Sequence, residues 1–234
     1  TVKADTGRTG RLTIQTWWID FTQGLQFMRG NGPLLLAMFL ALFANFALAP
    51  LNVLETAYVK DILRAGPEGL SWVGIALLAG MTAAGFLAGP AARKWGTWPV
   101  VYAGFAGAGL GYALIGLPGL VPPVLPPLAL AVLAYVLTGF TIPFINAPLF
   151  GWLSATVDPA LQGRVFAALN ALCLMASPLG SALSGAVAVL IPIPWLFVIM
   201  GSLIILVSLG GRALSVRTLT KGGTGQVVEE APPS

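Results

Sequence analysis

The chain has 234 residues, of which 57% are hydrophobic and 9% are charged. Soluble domains carry about 25% charged residues, so this composition excludes an ordinary water-exposed surface and indicates a polytopic membrane protein. Histidine is absent and Cys173 is the single cysteine, which excludes Ser-His and Cys-His catalysis, histidine metal sites and an internal disulfide. We therefore expect a protein that is not an enzyme and that has no catalytic residue, metal site or cofactor.

The chain begins with a polar segment and an amphipathic stretch. Apolar side chains recur at helical spacing over residues 17–28, as in a helix that lies in the membrane interface; they are Trp17, Trp18, Phe21, Leu25 and Met28. A soluble amphipathic helix that packs on another domain would show the same pattern. We expect residues 1–32 to be a cytoplasmic linker and the chain to be a piece of a longer protein.

Four long runs without a charged residue follow. A bilayer-spanning helix needs about 20 apolar residues, and clusters of proline and glycine near residues 117–127 and 191–194 divide the two longest runs. The sequence therefore predicts an all-α membrane protein with six transmembrane helices over residues 33–212 and a flexible cytoplasmic tail over residues 213–234. The predicted spans are Pro33–Leu54, Leu70–Ala92, Trp98–Leu117, Pro127–Leu153, Val165–Leu190 and Pro194–Leu209.

The basic residues are divided unevenly between the two sides of such a bundle. With six spans, both termini and the even-numbered connections share one side, which holds ten of the twelve basic residues. The opposite side holds only Lys60 and Arg64, beside Glu55, Asp61 and Glu68. The positive-inside rule places the basic side in the cytoplasm, so we expect a multi-pass plasma-membrane protein with both termini inside. This distribution accounts for the basic isoelectric point without nucleic-acid binding.

The connection between spans two and three carries a short motif. Its sequence is Gly89-Pro-Ala-Ala-Arg-Lys-Trp-Gly-Thr-Trp98, which resembles a degenerate copy of the loop motif of the major facilitator superfamily, G-x-x-x-D-R-x-G-R-R. Gly89, Lys94 and Gly96 match that motif, whereas Arg93 stands at its acidic position. In the family, the equivalent loop of the C-terminal half is often eroded.

Two longer stretches resemble one branch of this superfamily, the macrolide-efflux and enterobactin-exporter branch. Residues 158–185 are similar to its tenth-to-eleventh helix region, and residues 24–33 to the approach to its seventh helix. The resemblance implies the C-terminal half of a twelve-helix, bacterial transporter. Its partners would be an N-terminal six-helix half, the lipid bilayer, a small amphipathic substrate of drug, macrolide or siderophore type, and protons.

Small residues recur at four-residue spacing on three predicted spans, which allows helix backbones to approach closely in lipid. The pairs are Gly85/Gly89, Gly107/Gly111 and Ser181/Gly185. Packing within the bundle is one interpretation of each glycine. In the family, the second and fifth helices of one half face the other half, so the resemblance implies that the pairs on spans two and five belong to that interface.

Polar residues inside the predicted spans are few, and span four holds the densest group. Pro143 and Pro148 lie in this group and should distort the helix and free backbone carbonyls. We predict a substrate cavity near these prolines, although hydrogen bonding between helices is an alternative role for the same side chains. The candidate cavity residues are Tyr135, Thr138, Thr141, Asn146 and, from span one, Asn45.

Glu55 is the acidic residue at the external end of span one, between Asn52 and Thr56. It is either a proton-coupling acid or a solvated loop residue. The resemblance implies a proton antiporter whose coupling acid lies in the other half. Pro178 and Gly180 resemble a reduced copy of the antiporter motif of the fifth helix, which favours export and predicts a bend in span five.

Two other classes compete with the transporter interpretation. Intramembrane proteases need a serine with a histidine or two buried aspartates, and the predicted spans contain neither histidine nor aspartate. A non-transporting six-span scaffold subunit stays open as the alternative. Cysteines introduced along span four would be labelled from water in a transporter half and would stay unlabelled in a scaffold.

Overall fold

The computed structural model of the chain describes Thr22 and residues 32–120 and 126–222. Within these residues there are six long helices and no strand. All six are long and apolar enough to cross a membrane, which confirms the predicted all-α, six-span architecture. The predicted interfacial helix, apart from Thr22, lies outside the described residues. The helices are α1 (Gly32–Ala57), α2 (Pro67–Trp95), α3 (Thr97–Gly116), α4 (Pro127–Thr156), α5 (Pro159–Val187) and α6 (Ile193–Gly222).

The first membrane span is longer than the sequence predicts. A π-helical segment, Tyr58–Ile62, continues α1, so the span is Gly32–Ile62 rather than Pro33–Leu54. The first two residues of this segment are fully buried, and their burial favours a continued helix although charged residues lie nearby. As a consequence, Glu55 lies within the helix and not in a loop beyond its end.

The last helix also continues beyond its predicted end. α6 runs to Gly222, whereas the predicted span ends at Leu209. The apolar part that could cross a membrane is Ile193–Ala213. The polar residues that follow therefore extend the same helix beyond its membrane-spanning part.

The prolines inside α4 and α5 do not interrupt these helices. α4 passes through Pro143 and Pro148, and α5 passes through Pro178. Proline removes a backbone hydrogen bond and tends to bend a helix, but α4 is held on two sides by α2 and α3. The contact with α2 is so close that a Cβ added to Gly80 would meet the backbone of Val136.

The six helices pack mainly through four pairs. The principal contacts join α2 to α4, α3 to α6, α3 to α4 and α1 to α5. If the first three helices exchange places with the last three in order, the α1–α5 pair becomes the α2–α4 pair and the α3–α6 pair is unchanged, whereas the α3–α4 contact has only a small counterpart between α1 and α6. Such internal repeats are a feature of transporter folds. α3 is the most enclosed of the six helices, whereas α2 and α5 are the least buried. α2 and α5 therefore present open faces.

Candidate functional site

Three fully buried tyrosines lie in one apolar cluster, and two of them connect α1 to α3. The hydroxyl of Tyr58 donates a hydrogen bond to the carbonyl of Ile115. The backbone N–H of Leu51 donates to the hydroxyl oxygen of Tyr112 over 2.9 Å. Phe197 of α6 packs edge-on against both tyrosine rings, with centroid distances of 5.0 and 5.5 Å. These contacts fix the two tyrosines in place.

The third tyrosine, Tyr135 of α4, has a different environment. Its hydroxyl is buried and forms no hydrogen bond of normal geometry within the described residues. It lies beside the carboxylate of Glu55, which is half-buried and also close enough to Tyr112 to interact with it electrostatically. A carboxyl group and a phenol therefore meet in an apolar part of the bundle.

The sequence analysis named Tyr135 as a candidate cavity residue and Glu55 as a candidate coupling acid. It did not predict that the two side chains are neighbours. It missed Tyr112 as a neighbour of the carboxylate and Tyr58 as a neighbour of Tyr135. A signal for Tyr58 exists, because it follows Glu55 by one helical turn and residues at this spacing share a helix face. Nothing in the local sequence indicates Tyr112, which reaches the site through the packing of α3 on α1.

The two helices that carry Glu55 and Tyr135 have little other backbone contact. Asn146 follows Tyr135 by three helical turns, which places both on one face of α4, and Asn146 is exposed. On α1, Asn52 is exposed, whereas Asn45 is half-buried and donates its side-chain amide to the carbonyl of Ala41 over 2.8 Å. Polar groups of α1 and α4 are thus available outside the packed core.

The two candidate threonines of α4 lie in the contact with α3. The hydroxyl of Thr138 donates to the carbonyl of Ala134 over 2.9 Å, and that of Thr141 donates to the carbonyl of Thr138 over 2.7 Å. Both side chains are buried against glycines, since a Cβ added to Gly111 or Gly107 would meet them. Their hydroxyls are therefore satisfied within α4 itself, and their side chains fill the space that the glycines leave.

The small residues of the three pairs have different surroundings. Gly107 and Gly111 pack within the bundle, whereas a Cβ added to Gly85, Gly89 or Gly185 would meet nothing within 4 Å. Ser181, the remaining member, is half-buried. Close packing on a neighbouring helix within the chain therefore accounts for the α3 pair and leaves these glycines of α2 and α5 on open faces.

Gly180 of α5, in contrast, is enclosed by α1. A Cβ added at this position would lie 2.7 Å from the Cβ of Ala49 and 2.7 Å from the carbonyl oxygen of Phe46. The hydroxyl of Ser184 donates to the carbonyl of Gly180. Pro178 lies two residues before Gly180, so this close contact between α1 and α5 is near the proline.

The loop motif forms a sharp turn between two helices. Gly96 alone separates α2 from α3 and has a φ of 86°, which is favourable for glycine and strained for other residues. Arg93 and Lys94 occupy the last turn of α2, where the helix dipole favours positive charge. The ammonium of Lys94 lies 5.2 Å from the ring centre of Trp95. Gly89, one turn before Arg93, lies on the open face of α2.

Within residues 32–120 and 126–222, no group of three histidine, cysteine, aspartate or glutamate side chains could hold a metal ion. Cys173 is half-buried in a small apolar cluster formed by α1, α4 and α5. The chemistry that the region around α1 and α4 offers is therefore that of the Glu55 carboxyl group, its tyrosine neighbours and a few amides.

Comparison with known proteins identifies the family. The family model described as Major Facilitator Superfamily matches residues 34–230, which cover nearly all of α1 and the whole of the other five helices. A search of curated proteins finds no significant match. The matched region is most of the chain and coincides with the six apolar helices. The chain therefore belongs to the Major Facilitator Superfamily of membrane transporters.

Proposed function

We propose that this chain forms the C-terminal half of a secondary active transporter that exports small amphipathic compounds in exchange for protons. The observation that carries the proposal is the pair of Glu55 and Tyr135 inside the bundle. Ionisable residues within membrane spans are costly and mark ion pathways or proton relays. Glu55 is such a residue, since it lies within the span Gly32–Ile62 and is half-buried.

Tyr135 gives the carboxylate a partner whose interaction depends on charge. An ionised carboxylate accepts a strong hydrogen bond from a phenol, whereas a protonated carboxyl group has no net charge to hold the partner. Because Glu55 is on α1 and Tyr135 is on α4, the attraction between these helices changes when a proton binds. Protonation of Glu55 would thereby favour a different separation of α1 and α4, which is the kind of coupling that alternating access requires.

The substrate cavity in this proposal lies between α1 and α4. The two helices have little backbone contact, and their free polar groups include Asn52 and Asn146. A pocket with few polar groups among apolar walls suits amphipathic compounds. We assign Asn146, Asn45 and Tyr135 to its lining, and we assign packing roles to Thr138 and Thr141, whose hydroxyls bond within α4.

The orientation and the direction of transport in this proposal rest on the sequence. The excess of basic residues on one side favours both termini in the cytoplasm, and the resemblance favours a bacterial plasma membrane. The resemblance of Pro178 and Gly180 to an antiporter motif favours export. Gly85 of α2 and Gly185 of α5, which are open, are available to the N-terminal half.

The test is transport by the chain assembled with its N-terminal half in inside-out vesicles, with ethidium as the probe. Glu55→Gln, which keeps the shape and removes the charge, should abolish accumulation driven by a proton gradient, and Glu55→Asp should retain part of it. The matched control is Glu68→Gln, since Glu68 is exposed in the first turn of α2. Full activity of Glu55→Gln would overturn the assignment, and accumulation that never responds to the gradient would favour the scaffold alternative.

A further inference from the structure

A groove at one end of the bundle is separate from the α1–α4 site. It has a volume of about 250 Å³ and lies between the end of α2, the first turn of α3 and α4. Arg93, Thr97 and Trp152 line it together with small or apolar residues, which are Gly89, Ala92, Ala147, Pro148 and Gly151.

The groove faces away from the side of α4 that carries Tyr135 and Asn146. Gly151 lies on roughly the opposite side of α4 from these two residues at helical spacing. Gly89 and Gly151 would each accept a Cβ without meeting an atom within 4 Å. The two glycines therefore leave open space among small apolar side chains, on which a hydrocarbon chain can lie.

Tryptophans place the charged end of the groove at the membrane surface. The rings of Trp98 and Trp152 meet edge-on with centroids 5.1 Å apart, and Trp95 is 62% exposed. Tryptophan side chains prefer the headgroup region. The guanidinium of Arg93 is thus at headgroup level, as is Gly151 beside Trp152, while Gly89 lies one helical turn deeper in the membrane.

The charge at this end is positive and uncompensated within the described chain. Arg93 is exposed, and no ion pair joins it to an acidic side chain among residues 32–120 and 126–222. It occupies the position where the superfamily motif has an acid, so the sign of the charge beside the groove is reversed. Basic pockets between membrane helices attract anionic headgroups.

We propose that this groove binds an anionic phospholipid, with its phosphate on Arg93 and Thr97 and one acyl chain along Gly89 and Gly151. Charge complementarity selects an anionic over a zwitterionic lipid. The open backbone selects a lipid over a free anion, because a free anion would leave the apolar part of the groove empty.

The test is retention of lipid by the full chain, purified from vesicles of phosphatidylcholine with phosphatidylglycerol as the minor component and examined by native mass spectrometry. We expect retained phosphatidylglycerol to be enriched over its share in the vesicle. Arg93→Gln should reduce retention about fivefold, the effect of one basic residue near an anionic surface, and Arg93→Lys should restore most of it. Gly151→Leu should reduce it by filling the groove with the charge unchanged.

Two control variants separate this site from general surface charge and from damage to the fold. Lys94 is a neighbouring cation outside the groove, so Lys94→Gln should retain the lipid, and Gly185→Leu adds the same bulk on another open face. Equal loss in Arg93→Gln and Lys94→Gln would overturn the proposal. Displacement of the lipid by inorganic phosphate would also overturn it, since the site would then be one for a free anion, as would the absence of enrichment over phosphatidylcholine.

Discussion

Individual polar groups in this bundle differ in whether they have a partner. The hydroxyls of Tyr58 and Tyr112 each bond to backbone across helices, while the buried hydroxyl of Tyr135 has no hydrogen bond within the described residues. A buried donor without a partner costs about 1–3 kcal/mol. This cost is expected at a position whose hydroxyl serves a changing partner, which is the role that we propose for Tyr135 beside Glu55.

The contrast between two tyrosines gives a first prediction, on stability. Tyr135→Phe removes a hydroxyl that lies beside Glu55 without a hydrogen bond of normal geometry, and it should leave stability nearly unchanged. Tyr112→Phe removes the acceptor of the Leu51 N–H and should lower stability by about 1 kcal/mol. Denaturant unfolding in detergent micelles measures both. Equal destabilisation by the two variants would contradict the different environments of the hydroxyls.

Thr138 gives a second prediction at the same scale. Thr138→Val keeps the shape of the side chain and removes a hydroxyl that bonds within its own helix, so stability should change by less than about 1 kcal/mol and transport by the assembled protein should persist. Ethidium accumulation and an unfolding curve measure the two effects. A loss of transport at normal stability would contradict the packing role and would indicate that Thr138 lines the cavity.

At the scale of helices, a small residue lies either in a contact between two helices or on a face that no other helix of the bundle covers. Gly180 meets α1 so closely that no side chain fits, whereas Gly185, on the same helix, meets nothing within 4 Å. Gly111 and Gly107 leave space that the threonines of α4 fill, just as Gly180 leaves space that α1 fills. The sequence spacing of glycines cannot separate these cases, because it does not say which face of a helix has a neighbour.

The two glycines of α5 give a third prediction. Gly180→Leu should destabilise the chain by about 1–3 kcal/mol or more, since it forces the α1–α5 contact apart. Gly185→Leu should leave the stability of the chain unchanged and should weaken its association with the N-terminal half. Thermal unfolding of the purified chain and co-purification of the two halves provide the measurements. Equal melting temperatures for the two variants would be inconsistent with the packing described.

The sequence predicted the position of a helix well where local signals mark both of its ends. The predicted span Trp98–Leu117 and the observed helix Thr97–Gly116 nearly coincide, because Gly96 lies directly before the helix and a Leu-Pro-Gly segment follows it. α1 was predicted too short, because charged residues after Leu54 resemble a loop and only the tertiary burial of Tyr58 shows that the helix continues. The contact of Glu55 with Tyr135 joins distant parts of the chain, so no local pattern contains it.

At the scale of the whole molecule, the bundle offers one wall for a transport path. Its six helices pack on one another, yet α2 and α5 keep open faces, where a Cβ added to Gly85 or Gly185 would meet nothing within 4 Å. Alternating access in transporters of this kind moves two repeats or bundles against each other around a central site. A single six-helix bundle supplies only one of these two moving parts.

The orientation of the bundle gives a fourth prediction. In a Cys173→Ala background, a cysteine at Lys60 should react with a membrane-impermeant maleimide in intact cells. A cysteine at Lys94 should react only after permeabilisation, because the proposed topology places the basic side of the bundle in the cytoplasm. Both lysines are exposed, so accessibility does not limit either reaction. The opposite labelling pattern would invert the proposed topology.

The most direct test of the half-transporter account compares inside-out vesicles that contain this chain alone with vesicles that contain it together with its N-terminal half. A proton gradient is imposed, and the accumulation of ethidium is measured against empty vesicles. The account predicts accumulation only when both halves are present, because one bundle lacks the second wall of the site. Gradient-dependent accumulation in vesicles that hold this chain alone would contradict it.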